Sequence, residues 1–237
     1  MPGSSSDMKR FVLIATVLLS ASCSTFHYVS EDAVSVDDIT LILPYSRVFY
    51  IDKEGESFDE EQSAQQQKIL TGLLYGMGLP IKDTLNVVGL PNQKDLDEEI
   101  SFLPAINPKE VGNLNSDGPV DKLLEKNGAR YGLIIFSEGF VKDKALYKSE
   151  VAKTLIVGIV GGLVGAAVGG AISGSAVGMS FYATPGWAYG SSVYAMLIDT
   201  QTDKVLYYNR VNPEEKNPMK SEALASQLEK LLKKLPR

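Results

Sequence analysis

The sequence predicts an α+β fold, with a small mixed or antiparallel sheet packed with helices and an inserted glycine-rich helical hairpin. Strand patterns alternate with helical patterns, and a closing hairpin pattern is followed by a carboxyl-terminal helix, which is typical of this class. The chain has 237 residues, of which 44 % are hydrophobic, so it is long and apolar enough to bury a core.

The amino terminus carries the pattern of a targeting segment. Lys9 and Arg10 are followed by the apolar stretch Phe11–Leu19 and by small residues up to Cys23. The apolar stretch is too short to span a bilayer. The arrangement resembles a bacterial lipoprotein signal, which implies that residues 1–22 form a type II signal peptide and that Cys23 is the palmitate attachment site. A secreted protein with a free thiol at Cys23 is the alternative.

The resemblance also implies where the mature chain lies. Ser24 stands where lipoproteins of the enterobacterial type that stay in the inner membrane carry Asp. We therefore expect an outer-membrane anchor with the folded part facing the periplasm. The predicted division is a tether at 23–38, a periplasmic domain formed by 39–153 and 191–237, and a membrane-associated insertion at 154–190.

The first half of the domain shows one strand and one helix. Residues Ile39–Ile51 are rich in β-branched and aromatic residues but contain Pro44, which predicts an edge strand or a strand with a bend. Ser57 and Glu60 have the spacing of a capping box and predict a helix that ends near Gly78. Its apolar face consists of Ile69, Leu70, Leu73, Leu74 and Met77.

Residues 81–119 show no lasting period. Their acidic group, which consists of Asp95, Asp97, Glu98 and Glu99, lacks the pattern of an EF-hand and predicts a solvated face instead of a calcium site. After it, Asp121–Lys126 predicts a short helix ended by Gly128, and Tyr131–Val141 predicts a buried strand on which that helix packs.

The last elements are a hairpin and a helix. Residues Ser191–Val211 predict two strands that turn at Thr200–Lys204. Asn217 as a cap and Pro218 at the first position predict the terminal helix. Its apolar residues are Leu224, Leu228, Leu231, Leu232 and Leu235. The pieces Tyr131–Phe140 and Met196–Tyr208 are similar to paired strands of envelope lipoproteins of the curli-secretion and TolB amino-terminal type, which implies periplasmic assembly work.

Residues Thr154–Ser180 carry no charge and have small residues at every fourth position. This spacing makes one smooth helix face that favours close helix packing, as in a glycine zipper. The predicted helix-packing residues are Gly158, Gly161, Gly162, Gly165, Gly169, Gly170 and Gly174. A bilayer, a partner helix in an oligomer, or the core of the same domain could surround this face. The aromatic residues Phe181, Tyr182, Trp187 and Tyr189 favour a membrane interface.

The neighbouring strands restrict the path of this segment. If it crossed the membrane once, the strand at Tyr131 and the hairpin at Ser191 would lie on opposite sides and could not share a sheet. We therefore expect the segment to enter and return, with bends near Gly169, Gly170 or Gly174, as two short helices packed through glycine or, alternatively, as two strands of a membrane hairpin.

Composition excludes several functions. The net charge of −6 and the absence of a basic run argue against nucleic-acid binding. The chain has one Cys and one His, His27, which we assign to the tether, and neither a GxSxG elbow nor a phosphate loop occurs. We expect no enzyme, no cofactor and no metal site. The expected function is envelope assembly, secretion or formation of an oligomeric membrane complex, with membrane lipid, copies of the chain or an envelope protein as partners. A small-ligand or lipid-binding module and an enzyme that uses carboxylates alone are the alternatives.

Overall fold

The computed structural model describes residues 27–31, 33, 36–114, 116–151 and 186–236. Within these ranges, eight strands form one mixed sheet, and helices pack on both of its faces. The predicted α+β class is confirmed. The predicted lipidation residue Cys23 lies outside the described residues, as do the predicted helix-packing residues Gly158, Gly161, Gly162, Gly165, Gly169, Gly170 and Gly174.

The strands are β1 (His27–Val29), β2 (Ile39–Ile42), β3 (Tyr45–Asp52), β4 (Gly55–Phe58), β5 (Ile81–Leu85), β6 (Tyr131–Lys142), β7 (Tyr189–Asp199) and β8 (Lys204–Glu214). Their order across the sheet is β1-β8-β7-β6-β2-β5, while β3 pairs with the second half of β6 and β4 pairs with β3. The pairs of β6 with β2 and β3 are parallel, as is β2 with β5, and the remaining pairs are antiparallel.

The strands β2 and β3 form one extended path with a break at Pro44. Both run parallel to β6, and the register moves by one residue between the pairs Leu41↔Leu133 and Tyr45↔Phe136. Proline has no N–H to donate to a sheet ladder, so the pairing stops on either side of it. The predicted strand with a bend is therefore confirmed.

The helices are α1 (Glu60–Gly76), α2 (Gln93–Ser101), α3 (Pro119–Lys126) and α4 (Ser221–Leu232). Residues 144–151 are also helical, and Leu103–Ala105 and Val111–Asn113 form 3₁₀ turns. The helices α1 and α4 cover one face of the sheet, while α2, α3 and the two 3₁₀ turns cover the other.

The first face confirms the predicted apolar positions. Leu70 and Leu74 of α1 are fully buried. The predicted leucines of the terminal helix lie in the same core, although Leu235 follows the end of α4 at Leu232. Burying each such side chain contributes roughly 1.5–3 kcal/mol. Polar contacts fix α1 in place, because Ser63 Oγ accepts a hydrogen bond from Val48 N at 2.9 Å and Gln66 Nε2 donates one to Pro218 O at 3.0 Å.

Two predicted helix starts are wrong by a few residues. Ser57 belongs to β4 and pairs with Tyr50, so the cap of α1 is Asp59, whose Oδ1 accepts the N–H of Gln62 at 2.9 Å. Asn217 does not cap α4, which begins at Ser221; Asn217 Oδ1 instead accepts the N–H of Met219 in a preceding turn. In both places the residue with the capping signal belongs to a neighbouring strand or turn instead.

The second face contains α2 and the two 3₁₀ turns, which lie in residues 81–119, where the sequence shows no lasting period. Asp95 and Glu98 of α2 are exposed, as predicted for a solvated face, but Glu99 is half-buried. Glu99 Oε2 accepts the N–H of Val120 at 2.7 Å and so caps α3 from a different helix. The helix α3 therefore begins at Pro119, two residues before the predicted start.

The strand β6 and the β7–β8 hairpin follow the prediction closely. Gly128 lies between α3 and β6 and stops the helix with φ +67°, a conformation that glycine adopts freely. The chain then enters β6 at Tyr131. Leu124 of α3 packs on Gly132 so closely that any side chain there would overlap it.

The stretch predicted as a tether contains a strand. His27, Tyr28 and Val29 form β1 and pair with Asn209, Tyr208 and Tyr207 of β8. His27 is exposed, and Lys234 Nζ lies 2.8 Å from its Nε2. The folded part of the chain therefore includes His27, which lies four residues after Cys23.

Candidate functional site

The connection that contains the glycine-rich segment leaves and re-enters the sheet at one place. The strands β6 and β7 pair along their whole length, from Tyr131↔Asp199 to Val141↔Tyr189. Lys142 N also donates to Ala188 O at 2.8 Å. We call this end of the sheet, defined by Val141, Lys142, Ala188 and Tyr189, the exit end. The prediction that Tyr131 and Ser191 belong to one sheet is confirmed.

The amino-terminal strand points toward the same end. Because β1 is antiparallel to β8, moving from Val29 back to His27 means moving along β8 toward Glu214, which pairs with Ser191 beside the exit end. From Asn209 to Glu214 the strand covers about 17 Å. Four residues of extended chain reach at most about 14 Å. Cys23 therefore lies within about 14 Å of His27, which is short of the distance to the exit end, although β1 runs in that direction.

Aromatic side chains cluster at the exit end. Phe49 and Phe140 are buried against each other, and the partly buried Trp187 packs against them. The ring of Phe58 meets that of Phe49 edge to face at 5.8 Å and is 55 % exposed. An aromatic rim with an exposed ring is suited to a membrane interface.

Polar contacts hold the first residues of the connection. Asp143 Oδ1 accepts hydrogen bonds from the N–H groups of Ala145 and Leu146, and Tyr50 Oη donates to Asp143 Oδ2. The hydrogen bond from the Leu146 N–H is the main reason why the pKa of Asp143 is lowered. Lys142, which is buried, pairs with Glu150 at 2.7 Å. The chain thus enters the connection as a capped helix fastened to β3 and β6.

A buried carboxylate lies on β6 just before the exit end. Glu138 is 1 % exposed, and neither of its carboxylate oxygens has a hydrogen-bond partner among the described residues. Burial raises the pKa of Glu138 to about 7, while the neighbouring Arg47 lowers it and Glu56 raises it further. An acid inside the otherwise apolar Tyr131–Val141 stretch was the only sequence signal for this residue.

The alternative of a small-ligand or lipid-binding module requires an apolar pocket in the sheet domain. At the opposite, distal end of the sheet, where the parallel strands begin, a cleft of about 460 Å³ is lined by Asp37, Asp38, Thr40, Lys82, Asp83 and residues 127–131. Lys82 pairs with Asp38 at 2.8 Å, and Arg130 binds Asp199 through two contacts of 3.1 Å. The lining is mainly polar, which suits neither a lipid ligand nor an apolar small molecule.

The predicted membrane segment at 154–180 falls among residues that the structure does not describe. Within the part of the chain that it does describe, helices of the length and apolar character needed to cross a membrane are absent.

Comparisons with protein-family models and with curated proteins give no match for this chain. Among solved structures, the chain is similar to PelC from Paraburkholderia phytofirmans, solved as a dodecamer, with 12 % identity over 90 % of this chain and 99 % of that chain and a TM-score of 0.39. It is also similar to the LpoB C-terminal domain from Salmonella enterica, with 11 % identity over 86 % of this chain and 94 % of that chain and a TM-score of 0.28.

A lipoprotein from Neisseria meningitidis shows 9 % identity over 84 % of this chain and 99 % of that chain, with a TM-score of 0.33. Identities and TM-scores this low carry no inference about activity, partners or assembly. Proposals on these points therefore rest on the residues of the chain itself.

Proposed function

We propose that the protein is a lipid-anchored outer-membrane protein that faces the periplasm and acts by binding, without catalysis, in envelope assembly, secretion or an oligomeric membrane complex. The observation that carries the proposal is the convergence of two membrane-seeking parts on one end of the sheet. From Val29 to His27 the strand β1 runs toward the exit end, and the connection that contains the glycine-rich segment leaves the sheet at Lys142 and returns to it at Ala188.

This convergence supports a single membrane-facing side. Acyl chains contribute roughly 0.8 kcal/mol per buried methylene, so a multiply acylated Cys23 is a sufficient anchor. The anchor then holds the exit end near the bilayer. The glycine-rich segment is thereby available to insert into lipid or to pack against copies of itself or an envelope protein through Gly158, Gly162 and Gly165.

The lipid anchor is tested by changing Cys23→Ser. Because the thiol is the acceptor, the variant should lose labelled palmitate and should shift, at least in part, from the sedimenting membrane fraction to the soluble fraction. The neighbouring change Ser24→Ala is the control and should keep both the label and the sedimentation. Palmitate still incorporated into the Cys23→Ser variant would refute the anchor.

A further inference from the structure

A second feature lies at the distal end, where α3 meets the turn between β7 and β8. Asp121 and Glu125 are one helical turn apart on α3, and Asp203 lies in the turn with φ 52°. One carboxylate oxygen from each of these three residues lies within 4.8 Å of the other two. Residues far apart in the sequence thus bring three acids to one point.

The burial of Asp121 distinguishes this cluster from an ordinary acidic surface. Asp121 is only 2 % exposed, and its Oδ1 has no hydrogen-bond partner among the described residues. Asp199, which is equally buried, is instead held by both arms of Arg130. A buried carboxylate oxygen without a partner is costly, so the arrangement calls for a positive group that reaches Asp121 Oδ1.

The nearby lysine does not meet this requirement. Lys122 Nζ binds Asp117 Oδ1 at 3.0 Å and makes no ion pair with Asp121. Three carboxylates whose oxygens lie within 4.8 Å of one another repel each other when ionised, unless a cation or a proton lies between them.

A further oxygen lies beside the turn. Ser116 N donates to Asp203 O at 3.1 Å, which fixes Ser116 next to the acids. Its hydroxyl is buried and has no partner among the residues that the structure describes. The three carboxylates, with Glu125 and Asp203 open to water, form the oxygen-only donor set that hard divalent cations prefer.

We propose that Asp121, Glu125 and Asp203 bind a hard divalent cation, with Ca²⁺ preferred over Mg²⁺. Ca²⁺ contacts oxygens at about 2.3–2.6 Å, so two oxygens on opposite sides of it are about 4.6–5.2 Å apart, which accommodates this cluster. Mg²⁺ requires about 2.0–2.1 Å and near-ideal octahedral geometry and retains several of its waters, so three carboxylates from a helix and a turn favour the larger, more adaptable Ca²⁺. Bound Ca²⁺ joins α3 to the β7–β8 hairpin.

This site is independent of the proposed function, and its test uses the full acylated chain in detergent after treatment with EDTA. A site with few protein ligands open to water should bind Ca²⁺ with a Kd on the order of 10⁻⁴–10⁻³ M. Isothermal titration with CaCl₂ should show one saturable site. At about a hundredfold excess over Kd, Ca²⁺ should raise the Tm by roughly 5–10 °C. KCl at matched ionic strength should not, and MgCl₂ should act more weakly.

Two variants and one control assign the effect to these residues. Asp203→Asn, at an exposed position that leaves the fold intact, should weaken Ca²⁺ binding at least tenfold. Asp121→Asn should abolish the Ca²⁺ response. Asp95→Asn, on the exposed face of α2, should leave it unchanged. Absence of any response to Ca²⁺, an equal response to KCl or MgCl₂, or a response retained in Asp203→Asn would overturn the proposal.

Discussion

Individual residues decide where this chain departs from a simple apolar core. Glu138 lies inside a strand that the sequence predicts as buried, and the structure leaves both of its oxygens without a partner among the described residues. The sequence shows that an acid interrupts the strand. It cannot show that β3 and β7 place Arg47 and Ser192 beside it, because those pairings depend on the registers of distant strands.

The charge of Glu138 should make stability depend on pH. Because burial raises its pKa in the folded protein to about 7, above the usual 4.5, the stability that the protonated group confers is full below about pH 4.5. It is lost as the pH rises through 7. The loss amounts to about 3 kcal/mol in the free energy of unfolding. Burial is the main cause of the raised pKa of Glu138, Arg47 opposes it and Glu56 adds to it, while Glu138 in turn raises the pKa of Tyr194.

Urea unfolding at pH 5 and pH 8 measures this effect. Glu138→Gln cannot ionise, so relative to the wild type it should gain up to about 3 kcal/mol on going from pH 5 to pH 8. Glu98→Gln, a change of the same kind on the exposed part of α2, should follow the wild type at both pH values. A Glu138→Gln curve that runs parallel to the wild type would show that Glu138 is ionised in both states.

At the scale of elements, the sequence predicts those helices and strands whose bounds are set by their own residues. The helix stop at Gly128, the buried strand β6 and the β7–β8 hairpin follow from their own residues. The strands β4 and β5 and the helix α2 are short and polar, so no period marks them. The start of α3 depends on Glu99 from another helix, and no local pattern reveals a cap supplied in this way.

The contact between α3 and β6 should tolerate no side chain at Gly132. Gly132→Ala would place a methyl group against the buried Leu124 and should lower the free energy of unfolding by about 1–3 kcal/mol. Gly72→Ala is the matched control, because Gly72 lies in exposed helix with open space around it, and it should raise stability by up to about 1 kcal/mol. Thermal and urea unfolding compare the two, and equal effects would mean that Leu124 moves aside freely.

At the scale of the whole molecule, the sheet has two ends with different character. The exit end combines aromatic side chains, the glycine-rich connection and the direction of β1, whereas the distal end carries the polar cleft and the acids of the proposed cation site. The sequence predicts that the glycine-rich segment returns to its own side. It does not predict the convergence, because His27 to Val29 carry too few residues for a strand pattern and read as a tether.

The orientation of the sheet can be measured with the native chain. Trp187 is the single tryptophan of the protein and lies at the exit end. In vesicles that contain brominated lipid, the fluorescence of the acylated chain should be quenched, because the anchor holds this end against the bilayer. The double change Trp187→Phe with Thr202→Trp moves the probe to the exposed β7–β8 turn, about 35–40 Å away along β7.

We expect little quenching in that variant, although it remains anchored through Cys23. Circular dichroism and urea unfolding should show that both forms are folded before they are compared, because Trp187 packs on Phe49 and Phe140. Stronger quenching at position 202 than at position 187 would reverse the orientation. Equal quenching would mean that the domain has no fixed orientation at the membrane, and the convergence of β1 and the glycine-rich connection would then have no role in positioning it.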